Sequence, residues 1–87
     1  MFIVDLGGAE GFGDFVFAFN QGFCELVGGH WKGNSWDAFH DYLSWPKEEK
    51  FVLVFRQWRS GRALAASQKA MVEQILKANP HVQVAYE

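Results

Sequence analysis

Only one cysteine occurs among the 87 residues, Cys24, so the chain can form no intramolecular disulfide and carries no CxxC metal motif. The apolar start Met1-Phe2-Ile3-Val4 meets Asp5 at once, with no basic stretch before it, which gives the expectation of a cytoplasmic rather than a secreted protein. No apolar run approaches the ~20 residues that span a bilayer. An excess of basic charge is also missing. Eight Lys and Arg stand against ten Asp and Glu, for a net charge of -2 and a pI near 5.9, and a surface that tracks phosphates normally rests on a basic face. Direct nucleic-acid binding is therefore not expected, whereas a basic protein partner is permitted. HExxH, a Walker Lys-Ser/Thr and GxGxxG are all absent, so Gly7-Gly8, Gly11 and Gly13 read as turn chemistry rather than a phosphate cradle. Neither internal repeats nor low-complexity tracts occur.

Aromatic residues are abundant. Nine Phe, four Trp and two Tyr in a chain that is 49% hydrophobic give each buried position a large apolar area, enough for one domain spanning 1–87 despite its small size. Phe2-Ile3-Val4-Asp5-Leu6, closed by Gly7-Gly8, reads as a buried strand and turn. Asp14 is placed to cap the next element, a helix whose inner stripe is Phe15, Phe19, Phe23 and Leu26 and which Gly28-Gly29 stops. Cys24 falls inside that helix as a packed thiol, because no His, Cys or basic neighbour would activate it.

A short second helix follows, with Asn34 or Ser35 as its N-cap and Pro46 as its end. Lys47-Glu48-Glu49-Lys50 is a charged connection. The five apolar residues Phe51–Phe55 do not alternate, which predicts a central strand buried on both faces beneath helices. Gly61 breaks the chain after Trp58. A third helix begins near Ser67, with Met71, Val72, Ile75 and Leu76 inward, and stops at Asn79-Pro80. Val82, Val84 and Tyr86 make a last strand. Successive strands are separated by helical crossovers, so the expected fold class is α/β, a small three-stranded parallel sheet packed with helices.

The second helix carries the functional signal. Trp36, Phe39 and Leu43 anchor one side, while Asp37 and Asp41, one turn apart, look outward. Like charges at this spacing cost a few tenths of a kcal/mol, roughly, so stability does not select them. A cationic partner would.

Gly33-Asn34-Ser35-Trp36-Asp37-Ala38-Phe39-His40-Asp41-Tyr42-Leu43 resembles the loop-and-helix signature of barstar-like proteins, intracellular bacterial inhibitors of small ribonucleases. The strand exit Phe55-Arg56-Gln57-Trp58 is also similar, and the element order agrees along nearly the whole chain. The resemblance implies a non-enzymatic antidote that plugs the basic active site of a barnase-like ribonuclease with an acidic helix and its preceding loop. In that reading Asp41 mimics a substrate phosphate and Asp37 contacts the same basic groups from the mouth. Trp31 matches an aromatic that stacks on the enzyme, Gly33 a glycine with its backbone at the interface, and Ser44 and Glu48 two further contacts. Asn34, Ser35, Trp36, His40 and Trp45 complete the expected contact surface, and the free protein is expected to be a monomer. This chain differs from the family at His40, in place of a bulky aromatic, at Lys32 in the plug loop, and at Lys77 near a family acid. No metal or cofactor is expected. Two alternatives stand beside this reading: an adaptor of the same fold with a non-nuclease partner, and a small hydrolase using Asp37, His40 and Asp41. A hydrolase needs a concave pocket, an inhibitor a protruding helix.

Overall fold

The computed structural model describes residues 1–44 and 49–87, so the expectations for Trp45, Pro46, Lys47 and Glu48 fall outside the described residues. Its elements follow the order β1 (Phe2–Asp5), α1 (Phe12–Gly22), a 3₁₀ turn (Cys24–Val27), α2 (Trp36–Ser44), β2 (Phe51–Arg56), α3 (Ala66–Lys77) and β3 (Val82–Tyr86). The three strands form one parallel sheet in the order β1-β2-β3, with Val4 opposite Phe55 and Phe55 opposite Tyr86. The α/β class and the parallel sheet are as the crossovers predict. No helix among the described residues is long and apolar enough to cross a membrane.

The place of β2 in the middle of the sheet agrees with its run of apolar residues, but the helices do not cover both of its faces. Phe51, Leu53 and Phe55 share a single core with Phe2, Val4 and Val82 and with the inward residues of all three helices. Val52 and Val54 point to the opposite side. Val54 is only 8% exposed there because Ile3 and Ala85 flank it across the sheet, without a helix above it. Two crossovers of the favoured right hand, both running in the direction β1 to β3, put all the helices on one face. An unbroken apolar strand thus records its central position rather than a second helical layer.

Local chemistry accounts for the other departures. Gly11, not Asp14, is the N-cap of α1, and Asp14 sits in the first turn, where its Oδ2 accepts the Glu10 N–H at 3.0 Å. An acid there satisfies a backbone donor from inside the helix and faces the positive end of the dipole. Phe15, Phe19 and Phe23 are fully buried as their spacing predicts, whereas Leu26 is 67% exposed. The α-helix ends at Gly22, and the tighter 3₁₀ turn after it rotates Leu26 out and takes Cys24 in. Cys24 is inaccessible, and burial pushes its thiol pKa from 9.0 up to about 12, a packed thiol as expected but outside the helix proper. In α3, Val72, Ile75 and Leu76 face inward and Met71 is partly exposed at the margin of the stripe. The final turn is closed by Asn79, whose buried Nδ2 donates to the Ile75 carbonyl at 2.8 Å.

Candidate functional site

The loop from Gly28 to Ser35 and the helix α2 form one unit, and the loop is held by side chains that lie far from it in sequence. Asn20, 3% exposed on α1, clamps the main chain of Trp31 from both sides: its Nδ2 donates to the Trp31 carbonyl at 2.7 Å and its Oδ1 accepts the Trp31 N–H at 2.6 Å. One turn beyond Asp37's neighbours, Tyr42 does the same for His30. Its hydroxyl accepts the His30 N–H at 2.9 Å and donates to the His30 carbonyl at 2.8 Å. Four backbone groups of a loop that forms no regular structure are thereby satisfied. A loop so tied loses little conformational freedom when something docks on it.

Trp31 is where the sequence expectation fails. Its ring is 1% exposed, packed among Phe12, Phe15, Phe19, Trp36 and Phe39 at centroid distances of 5.1 to 6.2 Å, with Nε1 donating to the Ser35 carbonyl at 3.1 Å. An indole in that position cannot stack on a partner. The physical reason is supply: α1 presents Phe12, Phe15 and Phe19 on the side facing the loop, and edge-on contacts with these rings take the indole into the core. Trp31 instead fixes the loop to the core.

Gly33 has φ of 77°, and a β-carbon there would lie 2.6 Å from Val16 Cγ2 on α1. Both the left-handed backbone and the close approach require glycine. Ser35 is the N-cap of α2, its Oγ accepting the Asp37 N–H at 3.1 Å and more weakly the Ala38 N–H at 3.4 Å, which decides between the two candidates Asn34 and Ser35. Asn34 is exposed beside it. A cleft of about 180 Å³, lined by Gly33, Asn34, Ser35, Trp36 and Gln68 with Phe12 and Trp31 at its floor, opens next to the helix start.

Along α2 the division is clean. Phe39 and Leu43 are fully buried, Trp36, His40, Tyr42 and Ser44 are half-buried, and Asp37 and Asp41 are exposed. Ser44 Oγ donates to the Asp41 carbonyl at 3.0 Å, so its hydroxyl is engaged with its own helix. Among the described residues neither carboxylate accepts a hydrogen bond or joins an ion pair; the one contact of a basic side chain with a carboxylate found there is the exposed approach of His30 Nδ1 to Glu25 Oε2 at 3.7 Å. At the far end of α2, His81 Nε2 donates to the Leu43 carbonyl at 2.8 Å, which ties the helix to the start of β3. Lys32 is exposed in the loop, and Lys77 is exposed on α3.

Asn20 and Tyr42 are the residues that sequence reasoning passed over. Asn20 left a trace: it follows Phe19 and lies one turn after Val16, a polar residue on the buried side of an aromatic helix. Tyr42 left none, since nothing in its neighbourhood distinguishes an aromatic that caps a distant loop from one that fills the core. Comparison with protein-family models, with curated proteins and with solved structures finds no match to this chain.

Proposed function

We propose that the chain is a barstar-like inhibitor of a barnase-like ribonuclease, which it blocks by inserting α2 and the loop before it into the enzyme's basic active site. The observation that carries this reading is the pair of exposed carboxylates at Asp37 and Asp41, without a partner among the described residues, on a helix whose loop is locked by Asn20 and Tyr42. A carboxylate can take the place of a phosphate among Arg, Lys and His, because charge-assisted hydrogen bonds there replace those made to substrate. Asp41 serves as the phosphate mimic. Asp37 engages the same cations from the entrance, and Gly33, Asn34 and Ser35 supply the adjoining surface. The parallel three-stranded sheet and its element order agree with the resemblance. The Trp31 ring, 1% exposed, supports the loop from within and does not stack on the enzyme.

An inhibitor needs no pocket of its own. Four clefts among the described residues, between about 180 and 380 Å³, have none of Asp37, His40 or Asp41 in their lining, so these clefts lend the hydrolase reading no support. The test is titration of a barnase-like ribonuclease with this chain while RNA cleavage is followed. Loss of cleavage at one equivalent is expected, and full cleavage in the presence of bound chain would favour the adaptor reading instead.

A further inference from the structure

The two edges of the sheet are finished differently. On β1 the Leu6 N–H bonds to the Arg56 carbonyl, so the even-numbered residues address β2 and the backbone of Ile3 points outward. That outward side is closed: Gly22, at the end of α1, lies so near the Ile3 carbonyl that a β-carbon would overlap it, and Asp5 adds a charge. On β3 the Phe51 N–H bonds to the His81 carbonyl and the Glu87 N–H to the Phe55 carbonyl, so the odd-numbered residues address β2. The backbone groups of Val82, Val84 and Tyr86 therefore point away from the sheet. The Val82 N–H is taken by the Asn79 carbonyl, but no described residue hydrogen-bonds to the N–H of Val84 or Tyr86.

This edge has none of the usual protections. Val82-Gln83-Val84-Ala85-Tyr86 contains no charge, no proline and no bulge, which is the composition that invites another strand. Beside it, Leu76, Val84 and Tyr86 line an apolar groove of about 320 Å³, with Glu73 and Lys77 on its rim. Those two are one turn apart on α3 and form no ion pair with each other.

We propose that β3 pairs with β3 of a second copy of this chain, antiparallel about a two-fold axis at Val84, to make a continuous six-stranded sheet. The register closes on itself. Val84 exchanges both hydrogen bonds with Val84 of the second copy, and each Tyr86 N–H donates to the other copy's free Val82 carbonyl. Each groove rim carries one acid and one base, Glu73 and Lys77, so a two-fold axis pairs a rim with its own charge complement, which favours a second copy over an unrelated strand. This assigns an assembly to a chain that its sequence suggests is a monomer, and it uses a surface apart from Asp37 and Asp41.

Sedimentation equilibrium of the full chain, from about 10 µM to about 1 mM, should show a monomer–dimer equilibrium, the range suited to a small interface. Glu73→Lys or Lys77→Glu alone should raise the dissociation constant about tenfold, because each places like charges across the axis twice. Mixing the two variants should restore a heterodimer. Hydrogen exchange adds a reading without mutation: protection of the Val84 and Tyr86 amides should grow with protein concentration, and that of Gln83 and Ala85 should not. A chain that stays monomeric throughout overturns the proposal. So does a dimer that both charge variants leave unchanged or whose Val84 amide stays unprotected.

Discussion

The loop Gly28–Ser35 and the outer face of α2 lie side by side and are built on opposite principles. In the loop the main chains of His30 and Trp31 are held from within the chain: Asn20 holds Trp31, Tyr42 holds His30, and Val16 fills the space a side chain at Gly33 would need. On the outer face of α2 the two carboxylates have none among the described residues. Folding explains His30, Trp31 and Gly33 and leaves Asp37 and Asp41 unexplained. The unexplained residues are where function is to be sought, and the explained ones are what keep them in place.

That contrast can be broken at its rigid end first. Trp31→Ala should cost about 3–5 kcal/mol of stability in chemical denaturation, the range for deleting a buried ring, since the indole touches five other aromatics. A cost near that of a surface residue would restore Trp31 to the partner surface. Asn20→Ala should cost about 2–6 kcal/mol, as each buried group left without a hydrogen bond costs roughly 1–3 kcal/mol and two are orphaned.

Alkaline pH probes the same packed region. Burial raises the Cys24 thiol from 9.0 to about 12 and, with Glu73 adding to it, the Tyr86 phenol from 10.0 to about 12. Both groups hold their protons more tightly folded than unfolded, so their contribution is complete below pH 9 and is lost as pH climbs from 9 toward 12. The midpoint of denaturant unfolding should fall across that window, and Cys24→Ala should flatten the part between 9 and 10. At pH 8 the native thiol should resist alkylation. A smaller effect belongs to the helix start, where Ser35→Ala removes the cap of α2 and should cost about 1 kcal/mol.

Much of this was legible in the sequence, and the limits are instructive. Apolar runs and helical spacings placed β2 centrally, aligned Phe15, Phe19 and Phe23, and set Asp37 and Asp41 outward, because period and burial are local properties. The one-sided sheet was not legible. Val52 and Val54 look the same in sequence whether a helix or two flanking strands cover them, and only the hand of both crossovers decides. Leu26 and Met71, at the margins of their stripes, lie more exposed than helical spacing predicts, Leu26 because the α-helix tightens into a 3₁₀ turn. For Trp31 the sequence is ambiguous, because a Trp beside an acidic helix satisfies both a core and an interface pattern. Its fate is set by Phe12, Phe15 and Phe19, which reach it only in three dimensions.

The central claim is that Asp41 contributes to recognition and not to the fold. Calorimetric titration of a barnase-like ribonuclease with wild type and Asp41→Ala, joined to denaturation of both, measures the two halves of that statement together. The expected result is a loss of about 2–5 kcal/mol in binding, the cost of truncating one partner of a desolvated charge pair, with stability changed by less than about 0.5 kcal/mol. A binding loss below about 1 kcal/mol, the scale of a rim contact, would contradict it.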